Sequence, residues 1–121
     1  MIHLNQTVVV EGKYDKIKLQ SILDANILET GGFRLFQDRE KADLLRRLAR
    51  RDGIIVLTDS DVAGFRIRNY IRNLVGNEGK VIHVYIPDIF GKERRKEKPS
   101  KEGKLGVEGI SPQILLQAFE K

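Results

Sequence analysis

Residues 54–64, IIVLTDSDVAG, constrain this chain more than any other stretch. Consecutive apolar residues with no polar alternation read as a strand buried on both faces, the pattern of a parallel sheet covered by helices. The strand runs into Asp59-Ser60-Asp61, so two carboxylates stand close together where the sheet meets solvent. Like charges that near raise each other's pKa unless a cation lies between them. An all-oxygen site of this kind suits magnesium. A second run, TVVV at residues 7–10, leads directly into Glu11. Two strand ends with three carboxylates point to a magnesium centre that handles phosphate. In it Glu11 acts as a ligand or as a general acid–base. The competing reading of Asp61 is an N-cap for the helix that follows, which leaves Asp59 unexplained.

Around these two strands the periodicity alternates. A helix is predicted over 14–25, with Leu19, Ile22 and Leu23 on one face. A short second strand is predicted over 27–30, ended by Gly31-Gly32. Asp38 is placed as the N-cap of a helix through residue 51, with Ala42, Leu45, Leu48 and Ala49 inward and Arg46, Arg47, Arg50 and Arg51 suited to its C-terminal dipole. Further elements are predicted as a helix over 62–75 stopped by Gly76, a strand over 81–86 closed by Pro87, and a short helix over 113–119 behind Ser111-Pro112. Strands alternating with helices imply an α/β fold in which a four-stranded, mainly parallel sheet is flanked by helices. Working residues in such sheets lie at the carboxyl ends of the strands, where Glu11, Asp59 and Asp88 fall.

The 121 residues are enough for one domain with one core, and no internal repeat is visible. Zero cysteines exclude disulfides and thiolate metal sites and fit a cytoplasmic location. Two histidines, His3 and His83, are too few for a histidine-rich metal centre, and a Ser-His-Asp triad is implausible. No apolar run approaches the ~20 residues that span a bilayer. The net charge of +5 is concentrated. Residues 92–104 hold seven basic side chains (Lys92, Arg94, Arg95, Lys96, Lys98, Lys101 and Lys104) against three glutamates. This basic loop, at about 88–107, is either a solvated surface or a phosphate-contact element. Only Phe90 is close by, which favours backbone charge contacts over base stacking.

Other polar residues carry two readings each. Gly12-Lys13 lacks the spacing of a nucleotide-binding P-loop, but Lys13 is placed to offset phosphate charge. Asp15 is a helix cap or an outer carboxylate. Glu108 lies in a turn that docks Val107 on the core, or it brings a further carboxylate to the site. LTDSD also has a superficial likeness to the aspartyl nucleophile motif of haloacid-dehalogenase phosphatases. Those enzymes place the aspartates after their first strand, whereas here they follow the third.

VVVEGKYD and, further along, LTDSDVAG together resemble the Toprim domain of topoisomerases, bacterial primases and certain nucleases and recombination proteins. The likeness extends from residue 7 to about residue 110. DSDVAG is close to the primase form, and Ala63 stands where topoisomerases carry a third aspartate. GKLGVEGISP is similar to the matching segment of the small Toprim ribonucleases that mature 5S ribosomal RNA precursors. The resemblance implies a compact Toprim fold, with residues 1–121 as a single stand-alone domain of bacterial or archaeal type. It implies Asp59 and Asp61 as the magnesium pair, with manganese able to substitute, and Glu11 as general acid–base or shared ligand. Tyr14, Tyr70 and Tyr85 receive no catalytic role. The resemblance implies metal-dependent phosphodiester cleavage, with RNA favoured over DNA as partner and no membrane involved. The alternative is a non-catalytic nucleic-acid-binding module, or a subunit that works with a protein partner in a larger processing complex.

Overall fold

A computed structural model describes residues 1–86 and 107–120, the Glu108 side chain apart. Four strands form the central sheet: β2 (Thr7–Val10), β4 (Ile27–Glu29), β5 (Ile54–Leu57) and β6 (Val81–Val84). Their order is β4-β2-β5-β6, and every pairing is parallel. The register sets Val9 beside Val56 and Val56 beside His83. β2 and β5 are buried along their whole length, as the unbroken apolar runs require.

The pleat divides their side chains between two cores. Val8, Val10, Ile55 and Leu57 face one side, where helices α1 (Lys13–Gln20) and α4 (Pro112–Phe119) contribute Leu19 and Leu115. Val9, Ile54 and Val56 face the other, where α2 (Arg39–Arg51) and α3 (Val62–Val75) contribute Leu45, Ala49, Ile67, Ile71 and Val75. Each helix starts at a side chain or turn visible in the sequence. Asp38 accepts from the Lys41 amide at 2.9 Å, Asp61 accepts from Gly64 at 2.7 Å, and Ser111 precedes Pro112. Gly53 and Gly76 take positive φ values of 87° and 58° as they end α2 and α3.

Three local features differ from the sequence expectation. The helix expected over 14–25 stops at Gln20, where the Ser21 hydroxyl donates to the Lys18 carbonyl at 2.6 Å. Leu23 and Asp24 instead form β3 (Leu23–Asp24), parallel to β1 (Ile2–His3), and His3 Nδ1 meets Asp24 Oδ2 at 2.9 Å. Leu19 and Leu23 are still buried in one core, so the inward positions were read correctly and the backbone was not. A 3-10 helix, Gly32–Gln37, occupies the segment between β4 and α2 and buries Leu35. The sheet is parallel throughout, and its strands stop short of the expected Thr30, Thr58 and Ile86. The basic residues Lys92, Arg94, Arg95, Lys96, Lys98, Lys101 and Lys104, together with Asp88, lie outside the described residues. Among the described residues no helix is long and apolar enough to cross a membrane.

Candidate metal centre

The strand order creates one special crevice. From β2 the chain passes through α1 to β4 on one side, then crosses by α2 to β5 on the other. The carboxyl ends of β2 and β5 therefore open onto loops that diverge to opposite faces, the geometry that marks a ligand site in open parallel sheets. Glu11 follows β2 and Asp59 follows β5 across this crevice.

A hydrogen bond from main chain to side chain joins the two residues. The Asp59 backbone amide donates to Glu11 Oε1 at 3.1 Å. The Glu11 carbonyl oxygen accepts from the amides of Gly31 at 2.9 Å and Gly32 at 3.3 Å and from the Thr30 hydroxyl at 3.3 Å, so three strand ends converge on one residue. Burial drives the Glu11 carboxyl up to about 8, and the negative charges of Asp59 and Asp61 push in the same direction. The Asp59 amide opposes them in part. Glu11 is thus a proton-bearing acid at neutral pH whenever no cation neutralises its neighbours.

Asp59 is held by a remote part of the chain: its Oδ1 accepts from the Val107 amide at 2.7 Å. Val107 is fully buried and begins a 3-10 turn, Val107–Gly109, which packs against α1. The docking of Val107 matches one of its two expected roles. Asp61 does cap α3 through Oδ1, as the plainer reading had it, and its second oxygen is not engaged by that bond. Asp15 accepts from the Gly12 amide at 3.2 Å, a helix-capping contact that fits the first of its two readings. Lys13 is exposed at the first position of α1, two residues from Glu11.

Gly64, Thr58 and Arg68 complete the site; Thr58 and Gly64 lie within the stretch 54–64 but carry no role in the sequence reading, and Arg68 carries no signal there. A Cβ on Gly64 would collide with the Asp59 carbonyl oxygen and lie 2.8 Å from Thr58 Oγ1 and 3.1 Å from Glu11 Oε1. Glycine therefore lets the start of α3 approach the acids and keeps the space beside Glu11 open. Arg68 is buried beneath. Its guanidinium donates to Thr58 Oγ1 at 2.9 Å, to the Val56 carbonyl at 3.1 Å and to the Val84 carbonyl at 2.6 Å. It also lies 3.2 Å from His83 Nδ1 and 4.3 Å from the Tyr85 ring centroid. A buried arginine in a charge-poor helix face had no visible partner in the sequence, because its partners are carbonyls of two strands.

The donor set is all oxygen, which suits a hard divalent cation. Glu11, Asp59 and Asp61 are the residues that would hold it. Among the described residues no three acidic or imidazole side chains are already gathered closely enough to cage an ion.

Comparison with known proteins agrees with this architecture. Residues 6–89 match the family model described as the Toprim domain. The chain is 34% identical over 116 residues to Ribonuclease M5 of Clostridium botulinum, covering 96% of this chain and 57% of that protein. It is 36% identical over 116 residues to Ribonuclease M5 of Lactococcus lactis, covering 96% and 51% respectively. The chain thus spans a little over half the length of these curated relatives. A solved small TOPRIM domain protein from Bacillus stearothermophilus superposes with a TM-score of 0.57 at 22% identity, covering 98% of this chain and 91% of that one. That likeness speaks for the fold alone. On sequence match, strand order and the placing of its acids, the chain belongs to the Toprim domain family.

Proposed function

We propose that this chain is a divalent-metal-dependent nuclease domain that cleaves phosphodiester bonds in structured RNA. One observation carries the reading. Glu11 and Asp59, distant in sequence, are hydrogen-bonded across the crevice between β2 and β5, and Glu11 is pushed up to about 8 there. A carboxyl tuned to that range exchanges protons efficiently near neutral pH. With Oε1 taken by the Asp59 amide, the proton of the acid form sits on Oε2. Asp59 and Asp61 would hold magnesium, or manganese in its place, with Glu11 completing the set. Such an ion supplies positive charge against the scissile phosphate and lowers the pKa of a water. The Val107 amide fixes Asp59, and Arg68 with Thr58 fixes the backbone that presents it. Lys13 and the basic residues between 92 and 104 neutralise the phosphates on either side.

RNA is favoured as substrate because relatives that align with nearly the whole chain are named Ribonuclease M5. Precursors of ribosomal RNA are the class of RNA that the Toprim resemblance implies. The second reading is a binding module without catalysis, or the partner subunit of a processing complex. The open spacing of the acids favours it.

The test is the double substitution Asp59→Asn with Asp61→Asn, assayed on labelled structured RNA and on DNA with and without magnesium. The proposal expects cleavage by the unsubstituted protein, loss of cleavage in the variant, and unchanged RNA binding. Binding without magnesium-dependent turnover in any lane would favour the module reading. Lost RNA binding in a folded variant would refute the assignment of the pair.

A further inference from the structure

Several large apolar side chains of this domain are exposed. Apart from Met1 and Ile17, the large ones among the described residues are Tyr14, Phe33, Phe36, Val62, Phe65 and Tyr85. Every one stands on a segment that leaves the carboxyl end of a sheet strand: Tyr14 after β2, Phe33 and Phe36 after β4, Val62 and Phe65 after β5, and Tyr85 after β6. Large apolar side chains left exposed in contact with one another mark a binding surface more than a folding need.

Within this rim one group is built as a platform. The rings of Phe33 and Phe36 stack at 5.6 Å between centroids with an interplanar angle of 28°. Phe36 in turn meets the edge of Tyr70, on α3, at 4.9 Å and 61°. Tyr70 is only half-buried but packs against the core under α3, so the stack rests on a fixed base. Phe33 is 51% exposed and Phe36 39%, so Phe33, the outer ring of the stack, is accessible to a ligand. The 3-10 helix that carries both phenylalanines is tethered to the candidate site. Its leading glycines, Gly31 and Gly32, donate their amides to the Glu11 carbonyl, and Gly31 and Gly32 hold φ at 77° and 67° to make that turn. Leu35, between the two phenylalanines in sequence, is fully buried and pins the segment. Arg34, beside Phe33, is exposed.

We propose that Phe33 and Phe36 form a stacking platform for an unpaired nucleobase of the RNA, next to the phosphate presented to Glu11 and Asp59. This rests on the RNA-cleaving reading and adds the form of the substrate. Single-stranded or splayed-out bases are recognised by stacking on aromatic rings that sit beside cationic side chains. A segment bearing an exposed phenyl stack, with Phe33 as its outer ring, and an arginine, one tether away from the acids, has that composition. A duplex presents its bases already stacked and would gain nothing from it. The charge-rich loop was expected to bind backbone without stacking; the stacking surface lies instead on a segment the sequence reading left unassigned.

The test uses the Asp59→Asn/Asp61→Asn protein, so that binding is read without cleavage, and fluorescently labelled RNA with either a fully paired stem or the same stem bearing a single-nucleotide bulge. Phe33→Leu with Phe36→Leu keeps the apolar cover of the core and removes the aromatic faces. Circular dichroism and thermal melting identify a variant that has lost its fold, and Phe33→Leu alone then replaces the pair. The proposal expects the bulged RNA to bind more tightly than the paired stem. It expects the leucine variant to lose about tenfold on the bulged RNA and little on the stem. An abasic nucleotide in the bulge should reproduce that loss in the parent and add nothing in the variant. Equal affinities of parent and leucine variant for the bulged RNA would overturn the platform while leaving the nuclease reading intact, and would turn this rim into a protein-docking surface. No RNA binding by the parent in any form would instead bring down the RNA reading itself.

Discussion

Glu11 is where the chemistry of this domain is most exposed to test. A carboxyl whose folded-state pKa lies above its unfolded value stabilises the fold fully only below the unfolded value, here near 4.5. That contribution drains away as pH rises towards about 8. Metal-free protein should therefore lose stability between about pH 4.5 and 8, as read by urea unfolding at a series of pH values. Glu11→Gln should flatten that decline, and magnesium should oppose it. A decline of equal size in the glutamine variant would assign the pH dependence elsewhere. Gly64 gives a second prediction. Gly64→Ala forces a methyl against Asp59, Thr58 and Glu11, so it should cost about 1–3 kcal/mol in thermal or chemical unfolding and abolish metal-dependent turnover. A variant of normal stability with normal turnover would show that the start of α3 has room to retreat.

At the scale of the element, one side chain reinforces the ladder between β5 and β6. Arg68 bonds a carbonyl of each strand and the Thr58 hydroxyl, and removing it orphans acceptors inside the fold. Arg68→Met should destabilise the protein by about 2–4 kcal/mol and raise amide hydrogen exchange selectively along β6. Arg68→Lys should recover only part of this, since an ammonium cannot reproduce the planar fork. Uniform exchange across the sheet in the methionine variant would deny Arg68 that local role. How much of this was legible in the sequence differs by element. The strands ending at Glu11 and Asp59 were readable because β-branched runs buried on both faces have few alternatives. The helix Val62–Val75 was readable because Asp61 and Gly76 bracket it. The segment after Gln20 was not, since Leu19, Ile22 and Leu23 satisfy a helical face and a turn into a short strand equally well. Its pairing with Ile2–His3 is a long-range contact that no local pattern announces. The same holds for Val107, whose amide reaches Asp59 across 48 residues, and for Arg68, whose partners are main-chain oxygens with no sequence signature.

The whole molecule combines a crevice set by strand order with a charge distribution set by composition. The order β4-β2-β5-β6 sets β2 beside β5, and their neighbouring carboxyl ends bring Glu11 and Asp59 together. The seven basic side chains between residues 92 and 104 account for most of the positive excess. If they contact phosphates, log affinity for RNA should fall linearly with log salt. Replacing Arg94, Arg95 and Lys96 by glutamine should reduce that slope by about two to three units without changing kcat at saturating RNA. An unchanged slope in filter-binding titrations would assign the electrostatic contacts to another face. The central claim is that Glu11, Asp59 and Asp61 act as one cation-binding, proton-exchanging unit. Calorimetric titration of magnesium into the RNA-free protein at pH 7, repeated in buffers of different ionisation enthalpy, tests it most directly. Saturable binding that releases close to one proton is expected, because the cation must displace the proton that Glu11 holds with its pKa raised to about 8. Glu11→Gln should bind more weakly and release none. Magnesium binding with no proton release in the parent, or with the same release in the Glu11→Gln variant, would contradict it.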